Sequence, residues 1–329
     1  MCTAITLKTQ DGLHALGRNL DIVALLDVAV ILIPRSYAFT HTIMSLKKKN
    51  KYAMVGMSTT FENHVLLVDG MNEKGLACAV LELPKYASWS KALDKDKINV
   101  APYDFVYWIL ANFQSLEEVK DELKNVNLVN EPLEGKEVSV DVHWIVTDRT
   151  GQSIVIEKTK GNFRIYNNKV GVLTNAPTFD WHLINLNRYM NIQVTNPHKV
   201  KWGHQELSFD SEGFGGIGLP GDVSSSSRFV KAAFLRNHIR VEKGEDALIT
   251  STFHILSNVA VIKGTAVTCH QQYLKTQCTS CMCLETGVYY YNTYNNNQIN
   301  AIHLFDENLD AFEVKVFPYQ DKLVVQKQN

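Results

Sequence analysis

The amino-acid sequence predicts an α+β fold in which antiparallel sheets pack between helices. Three observations lead to this class. Segments with the pattern of strands occupy both ends of the chain, and helical patterns are confined to its middle. No repeat, low-complexity linker or clear boundary separates the two groups of strands. We therefore expect the two groups to complete one another's sheets within a single domain that spans residues 2–329.

The first predicted strands form a hairpin at the very start of the chain. Residues 2–7 and 13–17 both have strand character, and Asp11-Gly12 between them is a tight-turn signal. The apolar run over residues 22–34 is interrupted by Asp27 and is too short to cross a bilayer, so it predicts a buried strand with its connection. Further strands are expected at residues 28–33, 52–57, 65–68 and 76–81.

Helices and strands alternate in the middle of the chain. Residues 102–113 carry apolar side chains at helical spacing, and Ser115-Leu-Glu-Glu118 fits a capping box that begins a second helix ending near residue 126. Residues 140–147 and 153–157 predict a hairpin with its turn at 148–151. The remaining expected helices are 179–190, 225–240 and 246–259, and the remaining expected strands are 163–166, 170–173, 265–268, 287–293, 298–304 and 312–317.

Composition and charge exclude some classes of function. Hydrophobic residues make up 45% and charged residues 20% of the 329 residues, which is typical of a folded soluble protein. The formal net charge of -1 predicts no nucleic-acid partner. The sequence opens without a basic stretch followed by an apolar block, so we expect a cytoplasmic protein with no membrane partner. A nearly neutral chain also tends to associate, which favours a homo-oligomer.

The six cysteines do not have the spacing of a small disulfide scaffold. Four of them, Cys269, Cys278, Cys281 and Cys283, lie close together, and a metal site is the sharper interpretation of this cluster. The flanking sequence is strand-like instead, which favours reduced structural cysteines. We expect no metal, and a metal-binding protein that uses residues 269–283 remains an alternative.

One glycine motif resembles a nucleotide-binding loop. Gly216-Ile-Gly218-Leu-Pro-Gly221 fits G-x-G-x-x-G, a pattern that needs a buried strand before it and a helix opening within it. Polar residues precede the motif, and Pro220-Gly221 indicates a turn. We therefore expect a glycine-rich loop without a nucleotide.

Cys2 is the residue with the clearest chemical potential. Removal of Met1 leaves a cysteine that carries both a thiol and a free α-amine. Such an amine titrates near pH ~7.7–8.0 and a free thiol near ~8.5, so the two groups can exchange a proton near neutral pH. One residue can then supply nucleophile and base. Taken alone, a cysteine in second place is also common by chance.

The segment Gly17-Arg18-Asn19-Leu20-Asp21 lies across the predicted hairpin from Cys2. An arginine near the sulfur favours the thiolate, and an aspartate near the chain start can hold a protonated α-amine. The same two residues would equally suit an ion pair at the end of a hairpin.

Further motifs extend this pattern along essentially the whole chain. They are M-C-T at the start, G-R-N-L-D at 17–21, M-N-E-K-G-L at 71–76, L-T-N-A-P-T-F-D-W-H at 173–182, G-L-P-G-D at 218–222, S-R-F at 227–229 and T-S-C-M-C-L-E-T-G-V-Y-Y-Y at 279–291. With these motifs the sequence resembles the choloylglycine hydrolase family, and its bile salt hydrolase branch more than its penicillin V acylase branch. The resemblance implies an N-terminal-nucleophile hydrolase with an αββα sandwich, two antiparallel sheets between helix layers.

The resemblance also implies roles for individual residues. Cys2 is the nucleophile and its α-amine the base, while Arg18 and Asp21 hold and tune it. Asn175 donates its side-chain N–H to the oxyanion, and Arg228 organises the charge around Cys2. The physical argument for Asn175 stands by itself, because a preorganised donor at an oxyanion contributes about 2.7–4 kcal/mol. Without the resemblance, Asn175 also fits a turn and Arg228 a helix surface.

Position 82 departs from the family pattern. Typical bile salt hydrolases have asparagine there and penicillin V acylases tyrosine, whereas this chain has Glu82. The resemblance implies a second oxyanion donor at this position. If the donor is the backbone N–H, any residue but proline can supply it, whereas a carboxylate aimed at an oxyanion is repulsive. We therefore predict that the Glu82 side chain turns away from the Cys2 sulfur.

Substrate-binding candidates come from the apolar loop residues that line the pocket in this family. They are Leu20, Phe61, Val68 and Leu133, each of which also fits an ordinary core residue. Glu137 stands where the family has an apolar residue, which puts the usual steroid contact in doubt.

The resemblance implies a bacterial, cytoplasmic homotetramer that needs no metal or organic cofactor and cleaves glycine- and taurine-conjugated bile salts. Two alternatives stay open. One is a penicillin V acylase or another N-acyl amidase on the same scaffold, which shares the catalytic residues and differs in pocket shape. The other is an inactive homologue that only binds small molecules.

Overall fold

The structure is a computed structural model that describes residues 1–23, 28–40, 43, 47–61, 64–131, 140–160 and 162–329. Its helices are α1 Phe105–Asn112, α2 Leu116–Leu123, α3 Phe179–Leu186, α4 Ser225–His238 and α5 Glu245–Ser257. Its strands are β1 Cys2–Lys8, β2 His14–Ile22, β3 Val28–Ile33, β4 Ala38–Thr40, β5 Lys47–Lys49, β6 Met54–Phe61, β7 His64–Leu67, β8 Asp69–Asn72, β9 Ala77–Glu82, β10 Ile98–Val100, β11 Val126–Leu128, β12 Val142–Thr147, β13 Ser153–Thr159, β14 Asn162–Asn167, β15 Val172–Leu173, β16 Val200–Trp202, β17 Gln205–Leu207, β18 Lys275–Cys283, β19 Val288–Thr293, β20 Asn300–His303 and β21 Lys315–Phe317.

Two large sheets form the centre of the molecule. A six-stranded sheet has the order β15-β1-β2-β18-β19-β20, and a nine-stranded sheet has the order β14-β13-β12-β9-β8-β6-β3-β21 with β7 paired to β6. Neighbouring strands within both sheets are antiparallel, as expected. The first sheet joins strands from the two ends of the chain, because β18 from the C-terminal part pairs with β2.

Helices cover the outer face of each sheet, so the layers run α, β, β, α. Helices α4 and α5 contact β1, β2 and β18, whereas α1 contacts β8 and β9. One hydrophobic core lies between the sheets and under α4 and α5, and a second lies between the nine-stranded sheet and α1 and α2. This arrangement confirms the predicted αββα sandwich.

The N-terminal hairpin forms as the sequence predicts. Gly12 has φ +91° in the turn between β1 and β2, a conformation that an L side chain rarely adopts. Gly17 in β2 faces α5, and a Cβ there would lie 2.3 Å from a methyl group of Thr252. The hairpin therefore needs glycine once for its turn and once for the close approach of a helix.

The C-terminal strands differ from the prediction at one place. The predicted strand over 265–268 is wrong, because Val267 makes only an isolated bridge with Tyr273. The strand lies instead at β18, which is buried along almost its whole length. The strand reads K-T-Q-C-T-S-C-M-C, so apolar and polar residues do not alternate as they do in a half-buried strand.

The other predicted helices and strands are present to within a few residues. The sequence analysis did not predict the short strands β4, β5, β8, β10, β11, β16 and β17. The predicted helix over 102–113 begins with a 3₁₀ turn at Pro102–Asp104, and Ser115 caps α2 by accepting the Glu118 N–H, as the capping box predicts. Within the described ranges, no helix is long and apolar enough to cross a membrane.

Candidate active site

Cys2 is the first residue of β1 and is 3% exposed. In the hairpin it pairs with Leu20, and Ala4 pairs with Arg18. Alternate residues of a strand face the same side, so Cys2, Leu20 and Arg18 share the face that looks toward the nine-stranded sheet. The register alone therefore brings the arginine to the sulfur on a diagonal.

Arg18 joins the two sheets at this point. Its Nη2 donates to Cys2 Sγ at 3.0 Å and to the Val80 carbonyl at 3.1 Å. Its Nη1 donates to the Val68 carbonyl at 2.9 Å and lies 3.5 Å from Asp69 Oδ2. Burial opposes the charge of this guanidinium, but Cys2 and Asp69 outweigh that effect and raise the pKa of Arg18. The cation is thus kept beside the sulfur.

Asp69 is a buried residue that the sequence analysis missed. Tyr289 donates its hydroxyl to Asp69 Oδ1 at 2.6 Å, and Ser280 donates to Oδ2 at 3.0 Å. Both donors belong to the six-stranded sheet, whereas Asp69 begins β8 of the other sheet. Its position just after a predicted apolar strand was the only signal, and that signal fits many turn aspartates equally well.

Asn175 and Arg228 surround the backbone of Cys2. The Cys2 N–H donates to Asn175 Oδ1 at 2.7 Å, and Arg228 Nη2 donates to the same oxygen at 2.7 Å. Arg228 Nη1 also donates to the Cys2 carbonyl and to the Thr3 hydroxyl. Asn175 Nδ2 donates to the Glu82 carbonyl at 2.9 Å. The amide of Asn175 is therefore fixed in orientation by charged and backbone partners.

Asp21 lies under the same cluster and is fully buried. Thr276 donates its hydroxyl to Asp21 Oδ1 at 2.6 Å, and Arg228 Nη1 lies 3.7 Å from Oδ2. Among the described residues, Oδ2 has no hydrogen-bond partner. Burial raises the pKa of Asp21 and lowers the pKa of Arg228, while the two opposite charges counteract these shifts.

Met1 precedes Cys2 in this structure, so the Cys2 nitrogen is a peptide N–H. The Met1 amine donates to the Asp21 carbonyl at 2.7 Å and to Glu82 Oε2 at 2.8 Å. The Met1 carbonyl accepts from the Asp21 N–H at 3.0 Å. The Glu82 carboxylate, 57% exposed, thus contacts the amine of Met1 and not the Cys2 sulfur.

The backbone of Glu82 faces the site. The β9–β12 ladder is bonded through the Leu83 N–H and the Asp141 carbonyl, which makes the neighbouring pair Glu82–Val142 a non-hydrogen-bonded one. The N–H and C=O of Glu82 therefore point away from β12, to the side where its carbonyl accepts from Asn175.

Two buried histidines support the loop that carries Asn175. His182 Nε2 contacts the Asn175 carbonyl at 2.9 Å, and His143 Nε2 contacts the Thr174 carbonyl at 2.9 Å. His143 Nδ1 in turn contacts Glu157 at 3.0 Å. Burial lowers the pKa of His182 to about 4, so the ring is neutral and donates through Nε2. The motif at 173–182 contained His182, but no role was assigned to it.

The comparisons with known proteins identify the family. The sequence profile of the choloylglycine hydrolase family, described as linear amide C–N hydrolases, matches residues 2–317. The chain belongs to this family.

Curated relatives of this choloylglycine hydrolase family member match it over nearly its full length. The bile salt hydrolase/transferase of Clostridium perfringens is 45% identical over 330 residues, covering 100% of both chains. The bile salt hydrolase/transferase of Lactiplantibacillus plantarum is 38% identical and covers 98% of each. The family prediction from the sequence motifs is confirmed.

Solved structures lead to the same family. The crystal structure of the C2A mutant of the conjugated bile acid hydrolase from C. perfringens has a TM-score of 0.94 and 44% identity, covering 100% of both chains. Penicillin V acylase from Agrobacterium tumefaciens shares the fold, with a TM-score of 0.77, 24% identity and coverage of 96% of this chain and 91% of its own.

The candidates for substrate binding are placed unequally in this hydrolase. Leu20 is 5% exposed beside Cys2, and Val68 is half-buried with its carbonyl on Arg18. Phe61 is the last residue of β6, and its side chain lies outside what the structure describes. Leu133 and Glu137 also lie outside the described residues. The structure therefore places Leu20 opposite Cys2 and the backbone of Val68 against Arg18.

The cysteines of β18 lie in the sheet core. Cys278, Cys281 and Cys283 are buried, whereas Cys269 is exposed. Burial raises the pKa of Cys281 to about 12 and that of Cys283 to about 11, which keeps both as thiols. In the part of the chain that the structure describes, no group of His, Cys, Asp or Glu side chains is arranged to hold a metal ion.

Proposed function

We propose that this chain hydrolyses the amide bond of glycine- and taurine-conjugated bile salts with Cys2 as the nucleophile. The observation that carries the proposal is the 3.0 Å contact between Arg18 Nη2 and Cys2 Sγ, directly beside Asn175. Full-length similarity to proteins named bile salt hydrolases supports this class of substrate. The mature chain is proposed to span residues 2–329 as one domain.

Removal of Met1 leaves Cys2 with a free α-amine in addition to its thiol. The peptide nitrogen that now donates to Asn175 becomes an α-amine held next to the sulfur of the same residue. Arg18 stabilises the thiolate, and Arg228 and Asp21 set the charge around the amine. The amine accepts the proton of the thiol, so Cys2 supplies both nucleophile and base.

The thiolate attacks the carbonyl carbon of the substrate amide and forms a tetrahedral oxyanion. Asn175 Nδ2 carries two hydrogens, of which one is donated to the Glu82 carbonyl. We assign the second, together with the backbone N–H of Glu82, to the oxyanion. Each preorganised donor at such an oxygen contributes about 2.7–4 kcal/mol.

Collapse of the intermediate breaks the C–N bond. The α-ammonium of Cys2 protonates the departing nitrogen of glycine or taurine, and the acyl group remains on sulfur as a thioester. The same amine then activates water, which hydrolyses the thioester and regenerates the thiol. The proposal requires no metal or organic cofactor.

Product analysis tests the proposed activity. The protein is incubated in parallel with glycocholate, taurocholate and penicillin V, and the free acid and amine are measured by mass spectrometry. We expect cholate with glycine or taurine, and no products from Cys2→Ala, whose thermal unfolding should match that of the unmodified protein. Turnover of penicillin V alone would identify a penicillin V acylase instead.

The mass of the intact protein tests whether Met1 is removed and Cys2 has a free α-amine. A mass that lacks Met1 agrees with a free amine on Cys2, whereas retained Met1 in an inactive preparation favours a binding protein. The Cys2→Ala variant is the control, because its catalytic failure does not depend on removal of the methionine.

We also propose a cytoplasmic homo-oligomer, a tetramer by family resemblance. Exposed apolar side chains between α3 and α4 support self-association, since Met190 is 81% and Trp202 77% exposed. Light scattering coupled to gel filtration measures the mass. A monomer at micromolar concentration would contradict this part of the proposal.

A further inference from the structure

The carboxylate of Glu82 occupies a distinctive position at the edge of the site. Its backbone carbonyl accepts from Asn175, and its exposed side chain contacts the amine of Met1. In the part of the chain that the structure describes, the ion pair of Glu82 is with Met1. A positive charge next to the nucleophile therefore already has a partner in this structure.

Met1 lies next to the Cys2 nitrogen, where the proposed reaction needs the leaving amine. Its peptide bond joins it directly to the Cys2 nitrogen, and two backbone hydrogen bonds with Asp21 fix it there. In the proposed reaction, that nitrogen protonates the departing amine, which must then lie within hydrogen-bond distance of it. A leaving group at that distance would lie in the surroundings of Met1, next to the carboxylate of Glu82.

We propose that Glu82 makes the leaving-group side of the site selective for positive charge. This inference rests on the proposed function and concerns the charge of the leaving amine: glycine and taurine conjugates are cleaved, but less readily than amides with a cationic amine part. Amides whose amine part carries a cation, such as N-acylated diamines, bind with their ammonium where the Met1 amine lies. Amides that end in a carboxylate or sulfonate meet a like charge at the same place.

The exposure of Glu82 limits the size of the effect. Two opposite charges about 4 Å apart shift a binding equilibrium by roughly fivefold in water and by roughly a thousandfold at the dielectric of a protein surface. Because the side chain is 57% exposed, we expect the lower end, about threefold to tenfold for each charged substrate.

The test uses three cholyl amides that differ in the charge of the leaving amine. They are cholylglycine, cholylglycinamide and the cholyl amide of ethylenediamine, which are anionic, neutral and cationic. The kcat/KM ratio of the cationic to the anionic substrate is measured for the unmodified protein and for Glu82→Gln. We expect this ratio to fall about tenfold in the variant and high salt to reduce it only in the unmodified protein.

The matched control is Glu117→Gln. Glu117 is an exposed glutamate on α2, in the helix layer that covers the nine-stranded sheet. It should leave the ratio unchanged. An equal change for all three substrates in Glu82→Gln would mean that the carboxylate acts on the Cys2 amine and not on the leaving group. That result, or a ratio altered by less than twofold, overturns the proposal.

A second acyl series separates this inference from the proposed function. The same three amines are joined to phenoxyacetic acid. If only this series is cleaved, the bile salt proposal fails and the charge ratio still decides the role of Glu82. If neither is cleaved, labelling of Cys2 by anionic and cationic methanethiosulfonates replaces turnover, and equal relative rates in both proteins overturn the inference.

Discussion

The two faces of the nine-stranded sheet bury very different side chains. On the outer face, Phe105 of α1 packs against Trp144 with ring centroids 4.5 Å apart, inside an apolar core. On the inner face, Arg18 and Asp69 are each 1% exposed within a cluster of buried charges. Apolar packing stabilises a fold directly, whereas buried ion pairs often contribute little because of desolvation. The difference agrees with the proposed role of the inner cluster in the chemistry of Cys2.

The largest expected effect comes from Arg228→Leu, in the cluster of buried charges around Cys2. The change removes the cation nearest Asp21 and the donors to Asn175 and the Cys2 carbonyl. An unpaired buried charge costs about 3–5 kcal/mol of unfolding free energy. Activity should fall by about 10²–10³-fold as the oxyanion donor loses its orientation. Urea unfolding and kcat/KM measure the two losses.

The control for this variant is Arg240→Leu, an exposed arginine just beyond the end of α4. We expect its unfolding free energy to change by less than about 0.5 kcal/mol. If Arg228→Leu retained normal activity, the cluster would serve stability alone and the comparison of the two faces would fail.

On the outer face, Phe105→Ala should cost stability without harming the reaction. Truncation of a buried phenylalanine costs about 3–5 kcal/mol, because a cavity replaces its ring contacts. Since α1 packs on the face opposite Cys2, kcat/KM per folded molecule should stay within about twofold. Urea unfolding gives the first quantity and also the folded fraction by which kcat/KM is normalised.

Phe105→Leu is the milder companion if the alanine variant does not fold. It leaves most of the apolar volume and should lose clearly less stability. A tenfold lower kcat/KM per folded molecule, in either variant, would show that the outer core is coupled to the site.

The sequence could predict some residues of the site and not others, for physical reasons. Cys2, Arg18 and their shared face follow from hairpin register, because the turn at Gly12 fixes which residues are opposite. Asn175 and Arg228 were assigned through family motifs, since they are distant in the chain from Cys2. Their packing against Cys2 is a property of the tertiary structure and has no local pattern.

Two features, Asp69 and strand β18, could not be predicted from the sequence. The hydroxyl donors to Asp69 come from the other sheet, so no spacing along the chain could reveal them. The central strand β18 carries polar and sulfur side chains on both faces, and both faces are buried. Period-two alternation marks strands with one wet face, so it cannot detect this one.

The pH dependence of stability provides a third, somewhat smaller test. His182 is buried against the Asn175 carbonyl, and burial lowers its pKa to about 4 from 6.5. The unfolded chain therefore takes up a proton below pH 6.5 that the folded chain refuses, so stability falls as the pH falls from 6.5 toward 4. The whole shift corresponds to about 3 kcal/mol.

The variant His182→Gln keeps a donor for the Asn175 carbonyl but does not titrate. The unfolding free energy, measured from pH 7 to pH 4, should fall less steeply for this variant than for the unmodified protein. His254→Gln, an exposed change on α5, should keep the full slope. Identical slopes for all three proteins would exclude His182 as the buried neutral group.

The smallest expected effect separates structure from chemistry within one strand. Tyr289 and Tyr291 are both buried in β19. Of these two, the Tyr289 hydroxyl donates to Asp69 at 2.6 Å, and Asp69 is the ion-pair partner of Arg18. Tyr291 contacts the Pro318 carbonyl at 3.4 Å instead. Burial and Asp69 raise the pKa of Tyr289, so its hydroxyl keeps the proton that it donates.

Each phenylalanine substitution should lower the unfolding free energy by about 1 kcal/mol, the usual value of one hydrogen bond. Only Tyr289→Phe should slow the alkylation of Cys2 by iodoacetamide, by about threefold to tenfold, because Asp69 then holds Arg18 less firmly beside the sulfur. Equal alkylation rates in the two variants would show that Asp69 stabilises the sheets without positioning the arginine. Unequal rates at equal stability would show that Tyr289 affects the Cys2 sulfur through the two buried charges of Asp69 and Arg18.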